Sequence, residues 1–117
     1  MSQVPLIPDD LIQRLLANGA DSLADRDEDP VPVVKLFTPD GRATWLLTEL
    51  SPDDPDLAFG LCDLGLGCPE LGYVRLSEIQ AVDGPLGLSV ERDSSFRTDK
   101  PISHFAYLAG LAGRIVI

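Results

Sequence analysis

The sequence predicts an α+β fold in which a small antiparallel sheet of four to five strands packs with an N-terminal and a C-terminal helix. Two observations carry this prediction. Leucine and isoleucine recur at helical spacing near both ends of the chain, and the middle consists of short β-rich runs between turn residues. The chain has 117 residues, the length of one ordinary domain, so we expect a single domain over residues 1–117.

The N-terminal helix is predicted from the run "IPDDLIQRLLANG". Pro8 and the two aspartates that follow it suit the first turn of a helix. Leu11, Leu15 and their neighbours form one apolar stripe at helical spacing. Asn18-Gly19 predicts the end of the helix. The acidic stretch that follows predicts an exposed connector, in which a second short helical piece can form before Pro30 ends it.

The central part of the chain predicts a β-hairpin followed by further strands. Two β-rich runs at 33–38 and 43–50 flank Pro39-Asp40-Gly41, a turn sequence. The runs "LAFGLCDL" and "LGYVRL" predict two more strands, and "LSVERD" predicts a last short one. Between these, "LSEIQAV" allows only a short helical turn.

The C-terminal helix is predicted from "TDKPISHFAYLAGLAG". Pro101 suits a helix start, and Gly113 predicts the stop. Phe105, Leu108 and Leu111 follow one another in steps of three residues, so we expect them to form the apolar face of this helix.

Net charge is the most informative property of the composition. Nineteen acidic residues oppose nine basic ones, which gives a net charge of −10 and disfavours direct binding of nucleic acid. The stretch from Ala43 to Val74 contains no lysine or arginine. Its acidic residues predict a negative surface that either keeps the protein soluble or binds a basic partner, and they are Glu49, Asp53, Asp54, Asp56, Asp63 and Glu70.

The sequence offers little support for catalysis, a metal or a cofactor. Cys62 and Cys68 lack the two-residue spacing and the second pair that zinc sites use, so we expect free thiols and no metal. The chain has one histidine, His104, and no phosphate-binding or nucleophile motif, so we assign no catalytic residue and no cofactor. With two cysteines, no apparent export signal and no long apolar run, the sequence predicts a cytoplasmic protein that does not enter a membrane.

Five sequence segments resemble a known family. They are "LLANG", "DPVPVVKLFTPDGRATWLLTEL", "DPDLAFGLCDLGLGCPELGYVRLSEI", "GLSVERDSSFRTDKP" and "AGRIV". Together they make the chain similar, over nearly its whole length, to a small bacterial domain family of unknown function that is common on plasmids and other mobile elements. The resemblance implies a genetic neighbourhood of conjugation, anti-restriction and replication accessory genes, and it brings no catalytic residues.

Three functional hypotheses follow from these observations. In the first, the protein is a non-catalytic inhibitor or adaptor whose acidic face occupies a basic nucleic-acid channel of a defence system, such as a CRISPR or restriction complex. In the second, it is a small enzyme or ligand-binding domain with a site at Cys62, Asp63 and Glu70, joined by His104. In the third, it is a plasmid accessory protein that forms a homodimer through an apolar sheet edge.

Overall fold

The computed structural model describes residues 5–24 and 29–117. Its helices and strands are α1 (Asp9–Ala24), β1 (Val34–Phe37), β2 (Thr44–Leu50), β3 (Leu57–Asp63), β4 (Glu70–Arg75), α2 (Leu76–Gln80), β5 (Glu91–Arg92) and α3 (Ile102–Ala112). The strands form one antiparallel five-stranded sheet in the order β4-β3-β2-β1-β5. The predicted α+β fold, with helices at both ends of the chain, is confirmed.

The two long helices cover opposite faces of the sheet. Trp45 and Leu47 on β2 pack against the α1 side, whereas Leu46 between them packs against the α3 side, because side chains alternate along a strand. The core on the α1 side also includes Leu15 of α1 and Ile79 of α2. The sheet therefore separates two apolar cores, and β2 and β3 contribute residues to both of them.

The predicted hairpin is confirmed in position, and the structure adds its register. Val34 pairs with Leu47 and Phe37 with Thr44. The Thr38 amide donates to the carbonyl of Ala43 at 3.0 Å, and the Ala43 amide donates to the Thr38 hydroxyl at the same distance. The turn residues Pro39-Asp40-Gly41 thus connect the strands as their composition predicts.

The predicted end of α1 at Asn18-Gly19 is wrong, since the helix continues to Ala24. Gly19 is buried where α1 crosses β2, and a Cβ at this position would lie 2.0 Å from the carbonyl oxygen of Leu50. The side chain of Asn18 donates to the Thr48 carbonyl at 2.9 Å. These two residues therefore join the helix to the sheet, and tertiary contact overrides the local stop signal.

The predicted C-terminal helix is confirmed, with a different apolar face. Gly113 ends α3 in the left-handed conformation, at φ 74°. The buried residues are Ile102, Phe105 and Ala109, whereas Leu111 is 71% exposed, so the predicted stripe through Leu111 is wrong. A stripe at spacings of three and four residues follows the helical period more closely than steps of three alone.

The acidic connector is only partly within the described residues. Asp27 and Glu28 lie outside them. The carboxylate of Asp29 accepts hydrogen bonds from the amide, at 3.1 Å, and the hydroxyl of Ser103 in the first turn of α3. Asp29 therefore caps α3, which satisfies one of the amides that a helix start leaves without a partner.

Candidate functional site

The six acidic residues predicted to bind a partner fall into two groups. Asp53, Asp54 and Asp56 lie in the loop before β3, close to Glu49 at the end of β2. Asp63 ends β3, and Glu70 begins β4 as the partner of Cys62. Seven residues of extended strand separate the two groups, which corresponds to about 20 Å. The structure therefore does not bring all six carboxylates together.

Two acids of the first group are paired with a base. Arg75 contacts Asp54 at 2.9 Å and Asp56 at 3.7 Å. The Asp56 carboxylate also accepts from the Ser77 hydroxyl at 2.7 Å, and this bond, with the Ser77 amide and Arg75, lowers the pKa of Asp56. The negative surface expected of this stretch is therefore neutralised in part at these two positions, because Arg75, the base that follows the stretch in sequence, contacts both carboxylates.

Asp63 lies in the interior and is 3% exposed. Its carboxylate oxygens accept hydrogen bonds from the amide of Gly65 at 2.8 Å and from the amide of Ile115 at 2.9 Å. These bonds join the loop after β3 to the segment that follows α3. Asp63 is therefore a structural residue and does not contribute to the protein surface.

The cysteines and the histidine lie apart. Cys62 is half-buried beside the α1-side core, whereas His104 is on α3, with its ring edge against Phe105 on the other face of the sheet. Cys68 is exposed in the loop between β3 and β4. Among the described residues, no group of three His, Cys, Asp or Glu side chains is placed to hold a metal ion.

We expect the two thiols to react at very different rates. Burial raises the pKa of Cys62, while Cys68 is exposed, and the thiolate is the reactive species. Titration with a thiol reagent at pH 8 should therefore label Cys68 rapidly and Cys62 slowly. Cys68→Ser should remove the fast phase, and a fast phase that survives this substitution would contradict the placement of Cys62.

An apolar groove is the clearest candidate site. Its volume is about 510 Å³, and it lies between the end of α1, the start of α3 and the outer part of the sheet. Its floor includes Phe59 of β3 with Leu71 and Tyr73 of β4. The remaining lining residues are Gly19, Ser22, Leu23, Asp29, Pro30, Glu49, Ser51, Pro52, Leu57, Ile102 and Ser103.

The groove exists because β4 is the outer strand and α3 packs inward of it. The α3-side core is centred on Leu46 and Leu61 of the inner strands, and β4 contributes no residue to it. Leu71 is consequently 45% exposed and Tyr73 is 69% exposed. The Tyr73 ring packs edge-to-face on Phe59, with a centroid distance of 5.0 Å. The alternation in β4 indicates that these side chains share a face, but it does not indicate that no helix covers that face.

A β-bulge directs Glu49 towards this groove. The register shifts between Leu47, which pairs with Gly60, and Glu49, which pairs with Phe59. The extra residue shifts the alternation of side chains along β2 by one position. After the shift, Glu49 faces the groove and Leu50 packs in the α1-side core. The lining includes two acidic residues and, within the described parts of the chain, neither lysine nor arginine.

Comparison with known proteins places the chain in a family without assigning an activity. No curated protein matches it, and no solved structure does. A family model described as "Protein of unknown function (DUF2958)" matches residues 6–116. This match confirms the resemblance to a domain family of unknown function, whereas the association with plasmids and mobile elements stays a prediction. The chain belongs to the DUF2958 family.

Proposed function

We propose that the protein is a non-catalytic binding protein that holds an apolar and basic segment of a partner protein in the groove beside β4. The single observation that carries this proposal is the exposure of Leu71 and Tyr73 on the floor of the groove. Contiguous apolar groups at a protein surface favour a binding role over a purely structural one.

The exposed aromatic pair suits protein recognition. Tyr73 offers a large apolar ring and a hydroxyl, and it loses few degrees of freedom on binding. Its packing on Phe59 orients the ring before a partner arrives. Tyrosines in such positions often contribute much of the binding free energy at interfaces.

The edge of the sheet offers a second element of recognition. Within the described residues, β4 pairs with β3 alone, so its outward-facing main-chain groups are open to an extended segment. Added strands bind such edges through main-chain hydrogen bonds, while side-chain pockets determine specificity. Every second side chain of a partner segment paired with β4 would lie on the same face of the sheet as Tyr73 and Leu71.

Charge determines the class of partner in this proposal. The net charge of −10 attracts a basic protein and accelerates its association. A nucleic-acid-binding protein has the required basic surface. In the mobile-element setting that the family resemblance implies, the partner is such a protein in a host defence system, and this protein acts as its inhibitor or adaptor.

Affinity capture with matched variants tests this proposal. We expect Leu71→Ser with Tyr73→Ser to lose a basic partner that the wild-type protein retains, and we expect raised salt to weaken the complex. Tyr107→Ser is the control, because Tyr107 on α3 is also 69% exposed but lies outside the groove. Thermal unfolding of each variant verifies that it is folded.

Three results would contradict the proposal. Equal loss in the Tyr107 variant would show that the groove has no special role. Capture of an acidic partner that salt does not weaken would contradict the charge argument. A complex made only of a second copy of this chain, disrupted by the β4 substitutions, would replace the partner protein with a homodimer.

A further inference from the structure

A second cavity lies at the opposite edge of the sheet, beside β5. Its volume is about 420 Å³, and it is bounded by the first turns of α1, the segment that leads into β1 and the segment that follows β5. Arg14, Arg92 and Arg97 line it. Three of the chain's nine basic residues therefore meet at one cavity of a strongly acidic protein.

The three arginines differ in how they are held. Arg97 donates from Nη1 to the carbonyl oxygens of Phe96 at 2.9 Å and Ser94 at 3.3 Å, which fixes its guanidinium at the cavity wall. The side chains of Arg14 and Arg92 form no hydrogen bond or ion pair with any other described residue. A guanidinium carries five N–H donors, so the cavity holds considerable donor capacity that the described protein groups do not use.

Two acidic residues also line the cavity, and one of them is already engaged. The Asp93 carboxylate accepts from the Ser95 hydroxyl at 2.7 Å and from Lys35 Nζ at 3.3 Å. Asp10 is exposed on the first turn of α1. Three arginines face two carboxylates, and Lys35 already neutralises one of these, Asp93, so the cavity is locally positive although the chain carries −10.

We propose that this cavity binds a small molecule through a phosphate group. Guanidinium groups match phosphate oxygens in planar, bidentate geometry. A carboxylate offers two acceptor oxygens, whereas a phosphate group offers three and can accept from several arginines at once. The volume lies in the range of small-molecule sites, and Val31 with Phe96 supplies apolar contact for the rest of the ligand.

Calorimetric titration of the full chain tests the proposal with three probes, which are inorganic phosphate, pyrophosphate and adenosine monophosphate. We expect saturable binding of at least one probe with a one-to-one stoichiometry. Arg14→Ala and Arg92→Gln should each weaken it about tenfold or more, the usual effect of losing a charged hydrogen bond. Adenosine monophosphate binding more tightly than inorganic phosphate would identify a phosphorylated metabolite rather than the free ion as the ligand.

Arg114→Ala is the matched control, because Arg114 is an exposed arginine that lines a different cavity. It removes the same charge and should leave the affinity unchanged. Equal weakening in the Arg114 variant would show a general charge effect and would overturn the proposal. Absence of saturable binding of all three probes at millimolar concentration would also overturn it. The variants at Leu71 and Tyr73 should bind the probes with wild-type affinity, so the experiment tests this cavity independently of the proposed groove.

Discussion

Gly19→Ala is expected to destabilise the protein by about 2 kcal/mol or more, the usual cost of forcing extra volume into a packed interior. In an ordinary helix the same substitution stabilises by about 1 kcal/mol, because alanine favours the helix more than glycine does. Here the added Cβ would lie 2.0 Å from the Leu50 carbonyl oxygen, which belongs to the backbone of β2. The helix α1 and the strand β2 cannot easily move apart, because Leu15 and Leu50 are both buried in the core between them.

Gly110→Ala is the matched control for this substitution. Gly110 lies within α3, and apart from its chain neighbours and the backbone of its own helix no described atom lies within 4 Å of a Cβ placed there. We expect it to stabilise the protein by about 0.5–1 kcal/mol through helix propensity alone. Urea unfolding of the two variants measures both effects. A Gly19 variant as stable as the wild-type protein would contradict the close packing of α1 on β2.

Asp63→Ala is expected to destabilise the protein by about 3 kcal/mol, because it removes a buried acceptor and leaves two amides without partners. The carboxylate accepts from the amides of Gly65 and Ile115, so its loss releases both the loop after β3 and the segment after α3. Asp63→Asn retains one acceptor oxygen, and we expect an intermediate loss. Denaturant unfolding measures the difference.

Asp53→Ala is the control for charge in this experiment. Asp53 is exposed in the loop before β3, and its substitution by alanine also removes one negative charge from the chain. We expect its stability to match that of the wild-type protein, since exposed sites without specific contacts tolerate substitution. If Asp63→Ala were as stable as the wild-type protein, this result would contradict the structural role assigned to the Asp63 carboxylate.

The sequence predicts most of the fold because its signals are local. The turn at Pro39-Asp40-Gly41, the alternation in β3 and β4, and the stop at Gly113 each depend on a few neighbouring residues, and all agree with the structure. Gly19 shows the limit of such signals. Glycine after asparagine commonly ends a helix, but here it permits a close contact with a strand that is distant in sequence.

The candidate groove was less accessible to sequence reasoning. The stretch without basic residues contains six acids, yet the fold pairs Asp54 and Asp56 with Arg75 and buries Asp63. Only long-range packing determines which strand is outermost and how far α3 extends over it. The bulge that turns Glu49 towards the groove adds one residue to β2, a detail that the alternation of apolar residues does not reveal.

Site-specific photo-crosslinking tests the central proposal, that a partner protein occupies the groove, most directly. A benzophenone side chain is placed at Tyr73 or, as the equally exposed control, at Tyr107, and the crosslinked peptides are sequenced by mass spectrometry. We predict a crosslink from position 73 alone, to another protein, within a peptide that combines apolar residues with lysine or arginine. Crosslinks of equal yield from both positions, or to an acidic peptide, or only to a second copy of this chain, would contradict the proposal.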